Sequence, residues 1–255
     1  MLAAVKKGDA KKVAELTRQD PGFNVNMDQS QIENGYTLLH YACLQGSRSA
    51  VIPLLLAHPD IDVNLKSTYG STPFHLACSN GLTPCVREML KDSRVKVNDP
   101  DGGGHTPLFY AAAYDRIDVL RWWIASGREM DLGKPGDVSR TDAIGGAKKG
   151  GKKEVVTLLE RFKKFPVETR HAMRVELGLL DELAAEMFAL VVFFSDGLLK
   201  INETTRSPAA RFFQIATQLP LELQMVLCRR VVGSSKEIIS GKDSEAAFKE
   251  LAIRL

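Results

Sequence analysis

At 255 residues with a formal net charge of +3, the chain has room for one large domain or two small ones. That charge is too small to argue by itself for a nucleic-acid or membrane partner. Composition is that of an ordinary soluble protein, 44% hydrophobic and 25% charged. The opening MLAAVKKGDAKK turns charged within a few residues and does not read as a signal peptide. Cys43, Cys78, Cys85 and Cys228 show no paired spacing, which predicts reduced thiols and a cytoplasmic or nuclear setting.

In chain order, AAVKKGDAKKVAEL predicts a pair of short helices. Then a phrase recurs: NGYTLLHYACLQG over 34–46, YGSTPFHLACSNG over 69–81 and GGHTPLFYAAAYD over 103–115. Thr37, Thr72 and Thr106 stand 35 and 34 residues apart, and Thr141, opening TDAIGGAKKGG, follows after another 35. A fixed period in the low thirties signals stacked supersecondary units. Thr-Pro before an apolar run predicts a helix start, with the Thr hydroxyl as cap and Pro in the first turn. His40 and His75 fall three residues on, within reach of the cap. Small residues follow (Ala42-Cys43, Ala77-Cys78, Ala112-Ala113), where a neighbouring helix must come close. Gly46 and Gly81 are expected to close this first helix. A second helix is predicted from Val51, Leu54 and Leu55, from Val86, Met89 and Leu90, and from Val119, Leu120, Trp123 and Ile124. Asp62-Val63-Asn64 and Lys96-Val97-Asn98 read as extended turns.

TPFHLAC…G with V-x-x-M-L and VN downstream resembles the ankyrin repeat, over roughly 1–165. The resemblance implies an all-α solenoid of about five helix-turn-helix repeats, with units near 1–34, 35–69, 70–103, 104–138 and 139–165. The first and last units depart from the pattern, as terminal repeats with one solvent face do. The resemblance also implies a non-enzymatic scaffold or adaptor whose partner is another protein. The core positions are fixed by stacking, which leaves the turn tips and the open face of each first helix to vary. Those slots are Tyr41, Leu44 and Gln45; Leu76, Ser79 and Asn80; Tyr110 and Tyr114; Lys148 and Lys149. The turn tips add Glu33, Asn34, Tyr36, Lys66, Thr68, Tyr69, Asp101 and His105. Tyrosines are favoured at interfaces, so Tyr41, Tyr110 and Tyr114 are the expected anchors. Trp123 is expected in the core between repeats and Trp122 partly exposed.

The residue clusters of a type able to carry chemistry have structural explanations. His75 and Cys78 lack a second ligand cluster and an orienting third group, and His40 with Cys43 repeats the pair, so neither a metal nor a catalytic role is predicted. The run GGAKKGGKKE (145–154) has Lys153 where a phosphate-binding loop needs Ser or Thr, and no strand precedes it. No cofactor is expected. Lys148, Lys149, Lys152 and Lys153 mirror Lys6, Lys7, Lys11 and Lys12 at the other end. Solvated terminal caps explain both clusters, and an acidic partner spanning the groove is the functional alternative. No aromatic platform interleaves with these lysines, which argues against nucleic acid.

After Phe165-Pro166 the period stops. Residues 168–194 carry Leu177, Leu180, Leu183, Ala184, Met187, Leu190 and Val191 at helical steps and end almost wholly apolar, so this segment must be buried. Its longest apolar run, Met187–Phe194, falls well short of the roughly 20 residues of a membrane span. A polar loop over 195–208 and helices over 208–218, 220–231 and 243–254 complete the chain. Residues 166–255 are expected to form a helical cap or bundle, packed on or tethered to the last repeat. QLPLELQMVL (218–227) weakly resembles the opening of an F-box, a short helical module that docks on the adaptor of a cullin-type ubiquitin ligase. On that resemblance Leu219, Pro220, Leu221, Leu223 and Leu227 would face the adaptor and make the chain a substrate receptor, although the residues that follow depart from the F-box pattern.

Overall fold

The computed structural model describes residues 1–20, 22–27, 34–133, 142–196, 199, 208–232 and 247. Their regular structure is entirely helical. The chain divides into two compact units, Met1–Met173 and Arg174–Leu255.

In the first unit ten helices form five consecutive pairs: α1 (Leu2–Lys7) with α2 (Ala10–Gln19), α3 (Leu38–Ala42) with α4 (Ile52–Leu56), α5 (Pro73–Asn80) with α6 (Thr83–Lys91), α7 (Pro107–Ala113) with α8 (Ile117–Ser126), and α9 (Ala143–Lys149) with α10 (Lys153–Lys164). The first helices stack in order α1, α3, α5, α7, α9, and the second helices stack from α2 to α10 in the same order. Helices of 5 to 12 residues are marginal or worse in isolation, so stacking is what holds them. The stack buries Val51, Ile52 and Leu55, then Phe74, Val86 and Met89, then Leu108, Leu120 and Trp123. Phe74 meets Trp123 edge-on at 5.1 Å between adjacent repeats, which places Trp123 in the inter-repeat core.

The helix starts follow the capping chemistry. Thr37 and Thr72 each accept from the backbone N–H three residues on, and His40 and His75 close the box by accepting from the N–H of their own cap residue. Thr106 makes the forward bond to Phe109, but a phenyl ring cannot return it. Gly81 ends α5 in the left-handed region, φ 70°, while α3 stops earlier, at Ala42. Gly46 therefore does not close the first helix as expected. It opens a 3-10 helix, Gly46–Val51, that leads into α4. The fifth pair begins at Asp142, whose carboxylate accepts from Gly145 N, and Thr141 lies outside the described residues.

Neighbouring repeats are also tied by side chains bound to backbone. Asn64 donates to Arg94 O and accepts from Lys96 N, and Asn26 makes the same two contacts with Asp60 and Asp62. Arg94 donates to Leu56 O, and Arg128, 34 residues on, donates to Leu90, Asp92 and Val95 carbonyls. These carbonyls lie at or just beyond the C-terminal ends of the preceding second helices, where no further turn is available to bond them.

The sequence period ends at Phe165-Pro166, whereas the contacts of the first unit continue through Met173. Thr169 and Met173 are buried, and Arg170 donates to Ile124 O. The apolar stretch 168–194 is not one helix. It is α11 (Pro166–Glu176) and α12 (Leu180–Ser195), separated at Gly178, which adopts φ 69° and breaks the run. In the second unit α12 packs against α13 (Pro208–Ala216) and α14 (Leu221–Val232). Their core is built from small residues, Ala184, Ala185, Ala189, Ala216 and Cys228, around Phe188 and Val191. Arg229, 2% exposed, donates to Asp181 at 2.7 Å. Of the helix expected over 243–254, only Ala247 is among the described residues, and most of the expected loop 195–208 lies outside them.

Candidate protein-binding groove

Two observations fix which positions of the first helices are equivalent. Gly8 and Gly81 cap α1 and α5 in the same left-handed conformation. Arg48 and Arg116 reach back from the next repeat, to Lys6 O and Ser79 O respectively. Lys6 and Ser79 therefore share a position, and counting along each phrase extends the row to Lys6, Leu44, Ser79, Ala113 and Lys149. A second row runs Lys7, Gln45, Asn80, Tyr114 and Gly150, and a third Ala3, Tyr41, Leu76, Tyr110 and Gly146. Every member of the second row is exposed, and every member of the first is half-buried or exposed. Side chains here are set by neither capping nor core packing.

The frame around these rows is already committed. His40 Nδ1 accepts from Thr37 N at 3.2 Å, and its other ring nitrogen lies 3.0 Å from Ser71 O in the next repeat. The tautomer that satisfies both contacts carries its proton on Nε2. Burial is the main reason its pKa falls to about 4, and the bond to Ser71 O offsets this only in part. His75 repeats the arrangement with Thr72 N and His105 O, and burial likewise lowers its pKa. Cys78 is fully buried, and desolvation raises its thiol well above the usual range. A histidine with both nitrogens spent and a buried protonated thiol make no nucleophile and base. Among the described residues, no three His, Cys, Asp or Glu side chains are grouped to hold a metal ion.

The most aromatic part of the groove lies on α7. Tyr110 donates its hydroxyl to Asp101 Oδ2 at 2.7 Å and stacks on Tyr114, with centroids 5.9 Å apart and rings 25° from parallel. His105 lies against the same ring at 5.2 Å. Asp101 also accepts from Gly103 N and His105 N. Its partial burial opposes ionisation, but these hydrogen bonds prevail and hold the carboxyl below the usual carboxylate range. Tyr110 is thus held rigidly under Tyr114, which is 53% exposed.

The turn tips stack on one another. Thr68 donates from both backbone and hydroxyl to Asn34 O, Gly102 N donates to Tyr69 O, and Lys66 Nζ donates to Pro100 O. A Cβ on Gly70 would run into the Gly102 backbone, and φ 74° there favours glycine independently. Tyr69 is 64% exposed on this edge.

The expected contact residues divide accordingly. Gln45, Lys66, Tyr69, Asn80, Tyr114, Lys148 and Lys149 are exposed, while Tyr36, Leu44, Leu76, Ser79 and Tyr110 are half-buried. Tyr41 is corrected: it is 2% exposed, with Lys6 Nζ 4.4 Å above its ring and Tyr36 against its edge. It forms groove floor rather than an anchor. Lys148 takes the register of buried Cys78 and Ala112 and pairs with Glu160 on α10 at 2.7 Å, so only Lys149 stands in the groove row. Trp122 is half-buried on α8 with the Arg87 guanidinium 4.7 Å from its ring centroid. Glu33 lies outside the described residues. Sequence reasoning overlooked Arg48 and Arg116, whose partners are backbone carbonyls and leave no trace in residue type.

A family model for ankyrin repeats (three copies) matches residues 1–101 and again 48–134, together more than half of the chain. The chain belongs to the ankyrin-repeat family. Ankyrin repeats bind other proteins, and no enzymatic family is indicated. SMC5-SMC6 complex localization factor protein 1 of Bos taurus is 42% identical over 108 residues, 40% of this chain and 10% of that protein. Alpha-latrotoxin-Lg1a of Latrodectus geometricus is 35% identical over 110 residues, 43% of this chain and 8% of the toxin. Target of rapamycin complex 2 subunit AVO2 of Saccharomyces cerevisiae is 27% identical over 127 residues, 50% of this chain and 29% of that subunit. The chain thus spans a tenth or less of the first two and under a third of the last. Among the described residues no helix is long and apolar enough to cross a membrane.

Proposed function

We propose that this chain is a non-enzymatic adaptor that holds a partner protein against the groove and turn tips of its ankyrin repeats. The observation that carries the proposal is the division of labour within each repeat. Thr, His, Asn and Arg side chains are spent on caps and on ties to the next repeat, while the second row, with Tyr114 fourth of its five members and Tyr69 on the neighbouring edge, is exposed. Tyr36, Leu44, Gln45, Lys66, Leu76, Ser79, Asn80, Tyr110 and Lys149 complete the proposed contact surface. Its setting is the cytoplasm or nucleus. Two of the relatives are named as a complex localization factor and a complex subunit, in line with a role inside a protein assembly. Affinity capture with the intact chain, compared with Tyr110→Ala/Tyr114→Ala, tests this. A partner recovered by the parent and lost from the folded variant supports the adaptor. Equal recovery by both sinks it.

For the C-terminal unit we propose either a cap for the solenoid, in which case a chain ending at Met173 loses thermal stability in its repeats, or a tethered module, in which case it does not. A second reading, a substrate receptor of a cullin-type ubiquitin ligase, draws support from Leu221 and Leu223, which are 52% and 51% exposed on α14. Leu227 instead packs on the core of the second unit and is unsuited to docking. Capture of the ligase adaptor by the intact chain, lost on Leu221→Ser/Leu223→Ser, would favour this reading. Capture unaffected by that change would remove it.

A further inference from the structure

The five first helices of the repeats, LAAVKK, LLHYA, PFHLACSN, PLFYAAA and AIGGAKK, contain no aspartate or glutamate. Their lysines fall only in α1 and α9, the first and last of the stack. The second helices differ: Glu15, Glu88, Asp118, Glu154 and Glu160 are distributed among them. Charge of one sign thus marks both ends of the groove face.

Register sharpens the pattern. Lys6 and Lys149 occupy one row, and Lys7 stands in the adjacent row with Tyr114. Between them lie uncharged residues only: Leu44, Gln45, Ser79, Asn80 and Ala113. Among the described residues, the acidic groups that flank these helices in sequence have partners. Asp101 accepts from Tyr110, Gly103 and His105, Asp115 pairs with Lys152 at 3.6 Å, Asp9 accepts from Lys12 N and Asp142 from Gly145 N. Lys6 lies over the ring of buried Tyr41 and so is placed on the floor of the groove.

Resting on the groove reading above, we infer that the partner segment is an extended acidic peptide with carboxylates at both ends and an apolar or aromatic residue off-centre between them. The dimensions follow from the stack. Packed helices stand roughly 8–10 Å apart, so the four steps from Lys7 to Lys149 span roughly 32–40 Å. An extended chain rises about 3.3 Å per residue, so the segment needs about 10–12 residues. Tyr114 lies one step from Lys149 and three from Lys7. Its partner side chain therefore falls about three residues from one acidic end and about nine from the other. Lysines at the ends set register and approach by long-range attraction, and the tyrosine pair supplies the desolvated contact.

Fluorescence anisotropy with the full-length protein tests this with three probes. One is a synthetic 12-residue peptide of that pattern, one has the same composition with the acids moved to the centre, and one is a single-stranded oligonucleotide of similar charge. The patterned peptide is expected to bind about tenfold more tightly than the permuted one, to weaken as salt is raised, and to weaken about tenfold on Lys7→Glu/Lys149→Glu. Lys11→Glu/Lys153→Glu, the same charge change away from the rows, should leave it unaffected. Equal binding of the two peptides, no binding of the patterned one, oligonucleotide binding as tight as the peptide's, or insensitivity to the groove reversal overturns the inference. Circular dichroism of each variant separates unfolding from lost recognition. If a captured protein partner is lost on Tyr110→Ala/Tyr114→Ala but retained on Lys7→Glu/Lys149→Glu, the groove reading stands and the acidic inference fails. If it is retained on both, the groove reading itself fails.

Discussion

The repeat unit and the C-terminal unit are both all-helical, but they are specified in different ways. In the repeats the discriminating contacts run from side chain to backbone across about one period: His40 to Ser71, His75 to His105, Asn64 to Arg94, Arg128 to Val95. Each fixes its neighbour's distance and angle, so the same contact recurs and the groove rows emerge in register. In the C-terminal unit the described core is small-residue packing around α12, beside which buried Arg229 pairs with Asp181. A periodic frame leaves its exposed positions open to carry recognition. Among the described residues of the C-terminal unit the packing follows no such period.

Trp123 tests the periodic frame hardest, because it touches Phe74 in the preceding repeat. Trp123→Ala should cost about 3–5 kcal/mol in urea denaturation, and a loss confined to one repeat would break the picture of a coupled stack. Acid comes next. The folded pKa of His40 lies below its unfolded value of about 6.5, so the neutral ring stabilises the fold above that pH. The contribution is lost as pH falls from about 6.5 to about 4, and a depression of this size is worth roughly 3 kcal/mol. The stability difference between the parent and His40→Gln should shrink across that window, and a constant difference would contradict the assignment. In the other unit, Asp181→Ala should cost about 2 kcal/mol, discounted because the carboxylate is partly exposed. Asp181→Leu/Arg229→Met should recover much of this, as an ion pair that confers specificity rather than stability does. Thr72→Ala, which removes one cap, should cost about 1 kcal/mol. Tyr69→Ala should change stability by less than about 0.5 kcal/mol while weakening partner binding, which separates frame from surface.

The repeat architecture was legible because period, cap and small core residues are all written in residue type: Thr72, His75, Ala77 and Cys78 announce their roles. The groove was legible only in part. Tyr41 and Tyr110 occupy equivalent positions, yet one is buried beneath Lys6 and the other props Tyr114, a difference set by what the preceding repeat places above each ring. Gly46 misled because the helix had already ended at Ala42, before the glycine was reached. The break at Gly178 was hidden by an apolar pattern that continues on both sides of it. Arg48 and Arg116 could not have been found from the sequence, since their targets are carbonyls that every residue carries.

The central claim is that a partner is held on the first-helix rows and not on the second-helix face. A photo-crosslinking residue placed at Asn80, in the groove, or at Thr157, exposed on α10, tests it directly in the intact protein. The account predicts a discrete crosslinked partner from position 80, competed away by excess unmodified protein, and none from position 157. Equal yields from both positions, or a partner captured only from position 157, would contradict it.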